Sequence, residues 1–180
     1  MKIFLLALLL ITVAVKSNGQ TECVHKTNLN NQQRLKKYPF NVAHKVQLVS
    51  ILKNVNPTNE GSDISIYKTP INKDTLCTSK TKSVITLNRN QIDKLTDLLF
   101  NIGLNGNSYT FGTSTAIGLD GLILFVDSKN KIVEYIKICF DCGEVELKTS
   151  RVQKSIGLPC DEKMILLKAL FNEAKVHFNE

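Results

Sequence analysis

The residues with the clearest chemical potential are two thiols three positions apart, Cys139-Phe140-Asp141-Cys142. Cysteines at this spacing can close a redox disulfide or supply half of a zinc site. A redox pair of the thioredoxin kind sits at a helix start, where the helix dipole favours the thiolate. Here the pair ends a β-prone run, and Gly143-Glu144-Val145-Glu146 reads as further strand. Asp141, Glu144 and Glu146 carry the wrong sign to favour a thiolate, and Lys137, alternating onto the same strand face as Cys139, is the one helpful charge nearby. A zinc site would need two more ligands from Cys77, Cys160 or a histidine. In an exported chain the simplest role for cysteines is structural bonding. The four residues Cys77, Cys139, Cys142 and Cys160 are therefore the candidate disulfide or redox set. They allow three connectivities that sequence does not choose between. The chain has five cysteines, and Cys23, in a polar N-terminal stretch, is expected to be the unpaired one.

Other chemistries are poorly supported. Gly112-Thr113-Ser114-Thr115-Ala116 lacks the closing glycine of a nucleophile elbow and the Gly-Lys-Ser/Thr of a phosphate loop. Asp127-Ser128-Lys129-Asn130 begins like a calcium loop, but Lys129 occupies a ligand position and no glycine follows at the sixth, so it reads as a hairpin turn. His25, His44 and His177 are dispersed, and the carboxylates Asp141, Glu144 and Glu146 more simply solvate a strand than form a glycosidase pair. No catalytic, cofactor-binding or metal-binding residue is assigned, and no cofactor is expected.

The chain that must position these cysteines opens with Lys2 and an apolar run from Ile3 to Val15, broken by Thr12 alone. A run of about 13 residues suits the hydrophobic region of a signal peptide and is too short to span a bilayer. Residues 1–19 are expected to be a signal peptide cut before Gln20, giving an exported protein, periplasmic or extracellular, with no membrane attachment after cleavage. Loss of Lys2 and Lys16 lowers the formal charge from +7 to about +5. The remaining basic residues are scattered and not interleaved with aromatics, so nucleic acid is not expected as a partner.

Residues 20–37 are polar and aperiodic and read as a flexible leader; 38–180 read as one domain. Strands are expected at Lys45–Ile51, Ile64–Tyr67, Ser83–Leu87, Leu119–Val126, Lys131–Phe140 and Glu144–Lys148, separated by turn-rich stretches at 54–63, 70–81 and 105–118. The run Leu119–Val126 is apolar on both faces, which places it centrally. Asn88 and Gln91 form a capping box for a helix over Arg89–Ile102 with Ile92, Leu95, Leu98, Leu99 and Ile102 inward. A last helix runs from Asp161 to about Val176, with Met164, Leu167, Leu170, Phe171 and Ala174 buried. The order β-β-β-α-β-β-β-α implies an α+β fold, a mostly antiparallel sheet with two packed helices.

The segment Tyr135-Ile136-Lys137-Ile138-Cys139-Phe140-Asp141-Cys142, with Cys160-Asp161-Glu162-Lys163 opening the last helix, resembles small exported proteins of Bacteroidetes-type bacteria. Those proteins share a Tyr-Ile-x-Ile-Cys-Phe-x-Cys strand and a Cys-x-Glu-Lys helix start. Pro39-Phe40-Asn41 and the helix segment 95–100 are similar too, so the likeness spans about two thirds of the mature chain. Members carry a further cysteine and a Pro-Arg pair before the first hairpin strand, where this chain has Thr115-Ala116-Ile117-Gly118. The resemblance implies no activity. The expected function is a non-enzymatic exported binding domain, of inhibitor or immunity type, whose partner is another protein. The alternative is a thiol–disulfide redox protein using Cys139 and Cys142. A third reading is a hydrolase assembled from dispersed residues.

Overall fold

The structure is a computed structural model and describes residues 23–52, 69–104, 119–153, 156 and 159–178. The expected signal peptide, the expected strand Ile64–Tyr67 and the expected loop 105–118 lie outside them. In chain order the elements are β1 (Cys23–His25), α1 (Asn31–Leu35), β2 (Lys45–Ile51), β3 (Ile71–Asn72), β4 (Thr75–Leu76), a 3-10 turn (Thr78–Lys80) and β5 (Thr81–Thr86). Then come α2 (Arg89–Phe100), β6 (Ile102–Leu104), β7 (Gly121–Val126), β8 (Ile132–Cys139), β9 (Glu144–Leu147), α3 (Ser150–Gln153) and α4 (Asp161–Glu173).

The organising layer is a five-stranded sheet in the order β5-β2-β7-β8-β9, antiparallel at every pairing. The α+β class with an antiparallel sheet is thus as the sequence implies. β7 lies at the centre and all six of its residues are buried, as a run apolar on both faces requires. Its Ile123 and Phe125 side chains join the core beneath α2 and α4, while Leu122, Leu124 and Val126 pack with Val49, Ile51 and Ile132 on the opposite face. Alternation of side chains across a strand produces this division.

α2 forms where its capping box places it, with the Asn88 side chain accepting from the Gln91 amide and the Gln91 side chain accepting from the Asn88 amide. Its Leu95, Leu98 and Leu99 are buried against the sheet and α4, each burial being worth roughly 1.5–3 kcal/mol. α4 buries Met164, Leu167, Leu170, Phe171 and Ala174 as expected. Gly121 lets α4 approach: a Cβ there would lie 2.8 Å from Phe171 Cε1 and 3.3 Å from the Val49 carbonyl oxygen.

Three findings correct the sequence reading. The flexible leader expected over 20–37 is structured wherever it is described. β1 pairs with β6, α1 is closed by an Asn30/Gln33 capping box, and Arg34 is buried. Polar composition misleads here because the segment is held by long-range bonds instead of apolar periodicity. Cys23 is not the unpaired cysteine: it is bonded to Cys160, 137 positions away, and Cys77 is the free one. The stretch 70–81, expected to be a loop, holds a hairpin, β3–β4, turned by Lys73 (φ 44°) and Asp74 (φ 64°). Two consecutive left-handed residues suit the twist of a two-residue hairpin, a role usually filled by Asn-Gly, which is why the signal was absent.

Candidate functional site

The Cys139-Phe140-Asp141-Cys142 motif forms the turn between β8 and β9. Cys139 ends β8 opposite Glu144, the first residue of β9. The two cysteines are disulfide-bonded, with Cα atoms 5.4 Å apart. Gly143, at φ 66°, lets the chain turn back. The Phe140 amide donates to Asp120 Oδ2 at 2.8 Å, and the Phe140 ring packs edge-on against Phe171 and Phe178, at 5.4 and 5.1 Å between centroids. The turn is therefore held to the residue before β7, to α4 and to Phe178 independently of its sulfurs.

Inside the turn the two cysteines are not equally exposed. Cys139 is buried at 3 % exposure, whereas Cys142 is exposed. The Cys142 amide donates to Cys139 Sγ at 3.2 Å. Lys137, the one cation that sequence placed beside the pair, is engaged with Glu146 at 2.8 Å. Lys168 of α4 approaches the turn, 3.9 Å from Asp141 Oδ1. A disulfide with one exposed cysteine can undergo thiol–disulfide exchange there.

Of the other candidate cysteines, Cys160 precedes α4 as its N-cap and is bonded to Cys23. Cys77 lies beyond β4, half-buried, its sulfur 3.2 Å from Ser79 Oγ. The cysteines do not converge on one centre, so the structure does not assemble the zinc set considered from sequence. Among the described residues no group of three or more His, Cys, Asp or Glu side chains is placed to hold a metal ion.

The sequence reading missed three buried polar groups. Glu134 is wholly buried on β8. Alternation with Ile136 and Ile138 puts it on the helix side opposite Phe125, and the bulge at Val133, where Val126 pairs with Ile132, then turns Ile132 to the other face. The Glu134 carboxylate accepts from Tyr38 Oη (3.0 Å), Thr149 Oγ1 (2.5 Å) and the Tyr135 amide (3.0 Å). Burial, and then the bond to Glu134, raise the Tyr38 phenol above its ordinary pKa. The Arg151 guanidinium stacks over the Tyr38 ring at 4.2 Å.

Arg34 donates to Thr96 Oγ1 at 3.0 Å and to the Leu29 carbonyl at 2.6 Å, and pairs with Asp93 and Asp97, fastening α1 to α2. Lys163, 2 % exposed, donates from Nζ to the carbonyls of Ile102 (3.1 Å) and Leu99 (3.4 Å), beyond and within the last turn of α2. Burial, with Lys26 adding, pushes its amine down to about 7. In sequence, a carboxylate interrupting the apolar run Ile132–Ile138 was the hint of Glu134, and the spacing of Lys163 to Leu167, Leu170 and Ala174 was the hint that it faces inward.

The same helix that buries Lys163 exposes Ile165, at 67 %, and Leu166, at 36 %. They share the outer face of α4 with exposed Ala169 and with Asp161, Glu162 and Glu173. This inverts the pattern of an ordinary surface helix at two positions. No helix among the described residues is long and apolar enough to cross a membrane. No known protein family, curated protein or solved structure matches the chain.

Proposed function

We propose that the chain is an exported, disulfide-stabilised domain of inhibitor or immunity type that acts by binding another protein through the outer face of α4. The observation that carries this reading is the exposure of Ile165 and Leu166 on a helix that hides a lysine. The acidic surround of Asp161, Glu162 and Glu173 favours a partner presenting aliphatic and basic side chains. The two disulfides are compatible with an oxidising location. The short apolar run at residues 3–15 supports export to the periplasm or the exterior. Arg34, Glu134 and Lys163 spend their hydrogen bonds inside the fold, which supports an architectural role for them.

A photo-crosslinking residue at position 165, in cells exporting the protein, tests this against the same residue at position 129 in the β7–β8 turn. The expected result is a discrete protein adduct from position 165 alone, abolished by Leu166→Asp in a variant with an unchanged circular dichroism spectrum. The same adducts from both positions would refute the reading.

The exposure of Cys142 favours a second reading, thiol–disulfide exchange as the function itself. It lacks a thiolate-favouring helix start, and Lys137 is held by Glu146. We expect no dithiol-dependent turnover above that of a Cys139→Ser variant; activity well above it would make this reading the better one.

A further inference from the structure

We propose that the Cys139–Cys142 disulfide is a modification site for low-molecular-weight thiols, with Cys142 the sulfur that is attacked. This goes beyond the partner-binding reading and holds whether or not the domain turns over thiols catalytically.

The two disulfides do different work. Cys23–Cys160 joins residues 137 apart and ties β1 to the start of α4, whereas Cys139–Cys142 joins residues 3 apart within one turn. The conformational restriction a disulfide imposes grows with the loop it closes, so the short one constrains little. Its turn is already fixed by the Phe140 amide on Asp120, by the Phe140 ring against Phe171 and Phe178, and by the Cys139–Glu144 pairing. Opening the bond therefore leaves the surrounding structure in place.

Access and leaving-group chemistry select one sulfur. An external thiolate reaches exposed Cys142, while Cys139 is shielded at 3 % exposure. In the exchange, the incoming thiolate, its proton given to water, bonds to Cys142 Sγ. The bond between the two protein sulfurs breaks, and its electron pair leaves on Cys139 Sγ, which is later protonated by water. The incoming sulfur is oxidised to the disulfide level and the Cys139 sulfur is reduced to a thiol. The Cys142 amide, 3.2 Å from Cys139 Sγ, is placed to stabilise the departing thiolate. Asp141 and Glu144 flank the turn, and Lys168 offsets Asp141 alone. A small zwitterionic thiol such as cysteine is thus better suited than a strongly anionic one.

The test uses the folded, oxidised protein in a Cys77→Ser background. Graded cysteine is added under native conditions, thiols are trapped with iodoacetamide, and peptides are mapped by mass. The expected result is modification confined to positions 139 and 142 at concentrations that leave Cys23–Cys160 bonded. In a second arm, single variants are exposed to cystine without denaturant. Cys142 of Cys139→Ser should take up a cysteinyl group at least about tenfold faster than Cys139 of Cys142→Ser. Simultaneous opening of both disulfides in the first arm, or equal uptake in the second, would overturn the proposal.

Discussion

Replacing each disulfide by two serines should expose an asymmetry that the fold makes calculable. Loop-closure entropy assigns about 5 kcal/mol to the Cys23–Cys160 bond, from a separation of 137, and about 2 kcal/mol to Cys139–Cys142, from a separation of 3. The local cost cancels for Cys160 and Cys139, both 3 % exposed, whereas Cys23 packs partly buried against the core and Cys142 is exposed, which adds to the loss in the Cys23/Cys160 variant. The expected difference between the double variants is therefore at least about 3 kcal/mol, with Cys23→Ser/Cys160→Ser the weaker protein. Guanidinium unfolding followed by circular dichroism measures it, with both variants in a Cys77→Ser background. Equal losses, or a greater loss for Cys139→Ser/Cys142→Ser, would refute the division of the two bonds into a structural clamp and a dispensable turn.

Gly121→Ala should destabilise by about 1–3 kcal/mol, because its Cβ meets Phe171 and the Val49 carbonyl. In a Phe171→Leu background that penalty should shrink, and denaturant midpoints of the four-member cycle decide. Tyr38→Phe should cost about 2 kcal/mol by removing a hydroxyl donor from the buried Glu134 carboxylate; an unchanged denaturation curve would contradict that bond's importance. Lys163 binds its proton less readily folded, with a pKa of about 7, than unfolded, at about 10.5. Between those values the unfolded chain holds a proton that the folded protein lacks, so the Lys163 contribution to stability rises as pH increases through the window. The stability of wild type minus that of Lys163→Met should therefore move in favour of wild type from about pH 6.5 to about pH 9.5, and a flat difference would contradict it.

What was legible in the sequence was local. The Asn88/Gln91 box, the Leu95 and Leu99 stripe, the β7–β8 hairpin and the buried face of α4 each rest on periodicities or caps written within a dozen residues, and each forms as read. Apart from the local β3–β4 hairpin, where the reading failed the deciding partner lies far along the chain. Residues 23–37 look like a solvated leader because the groups that tie them to the domain lie far along the chain: β1 needs β6, Arg34 needs Thr96, Asp93 and Asp97, and Cys23 needs Cys160, while the Asn30/Gln33 box closes α1 locally. The Cys139–Cys142 pair was visible as a motif, but the exposure difference that gives it a reactive sulfur follows from tertiary packing.

α4 shows how these two kinds of information meet. Its apolar period predicts the helix and its buried stripe, and the same spacing puts position 163 inside and position 165 outside, where the chain has a lysine and an isoleucine. Lys163 is inside because the carbonyls of Leu99 and Ile102 at the end of α2 must be met by a donor, and α4 passes there with its own amide at position 163 donating to Cys23 Sγ at 3.4 Å. One residue therefore links the end of α2, the start of α4 and the β1 disulfide. That accounts for a lysine on the stripe that the helix otherwise fills with Leu167, Leu170 and Ala174. No comparable internal bond accounts for Ile165. An aliphatic side chain left 67 % exposed on the helix's outer face adds little to the fold's own packing, which supports the proposal that a partner covers it. That makes position 165 the place to look for a partner.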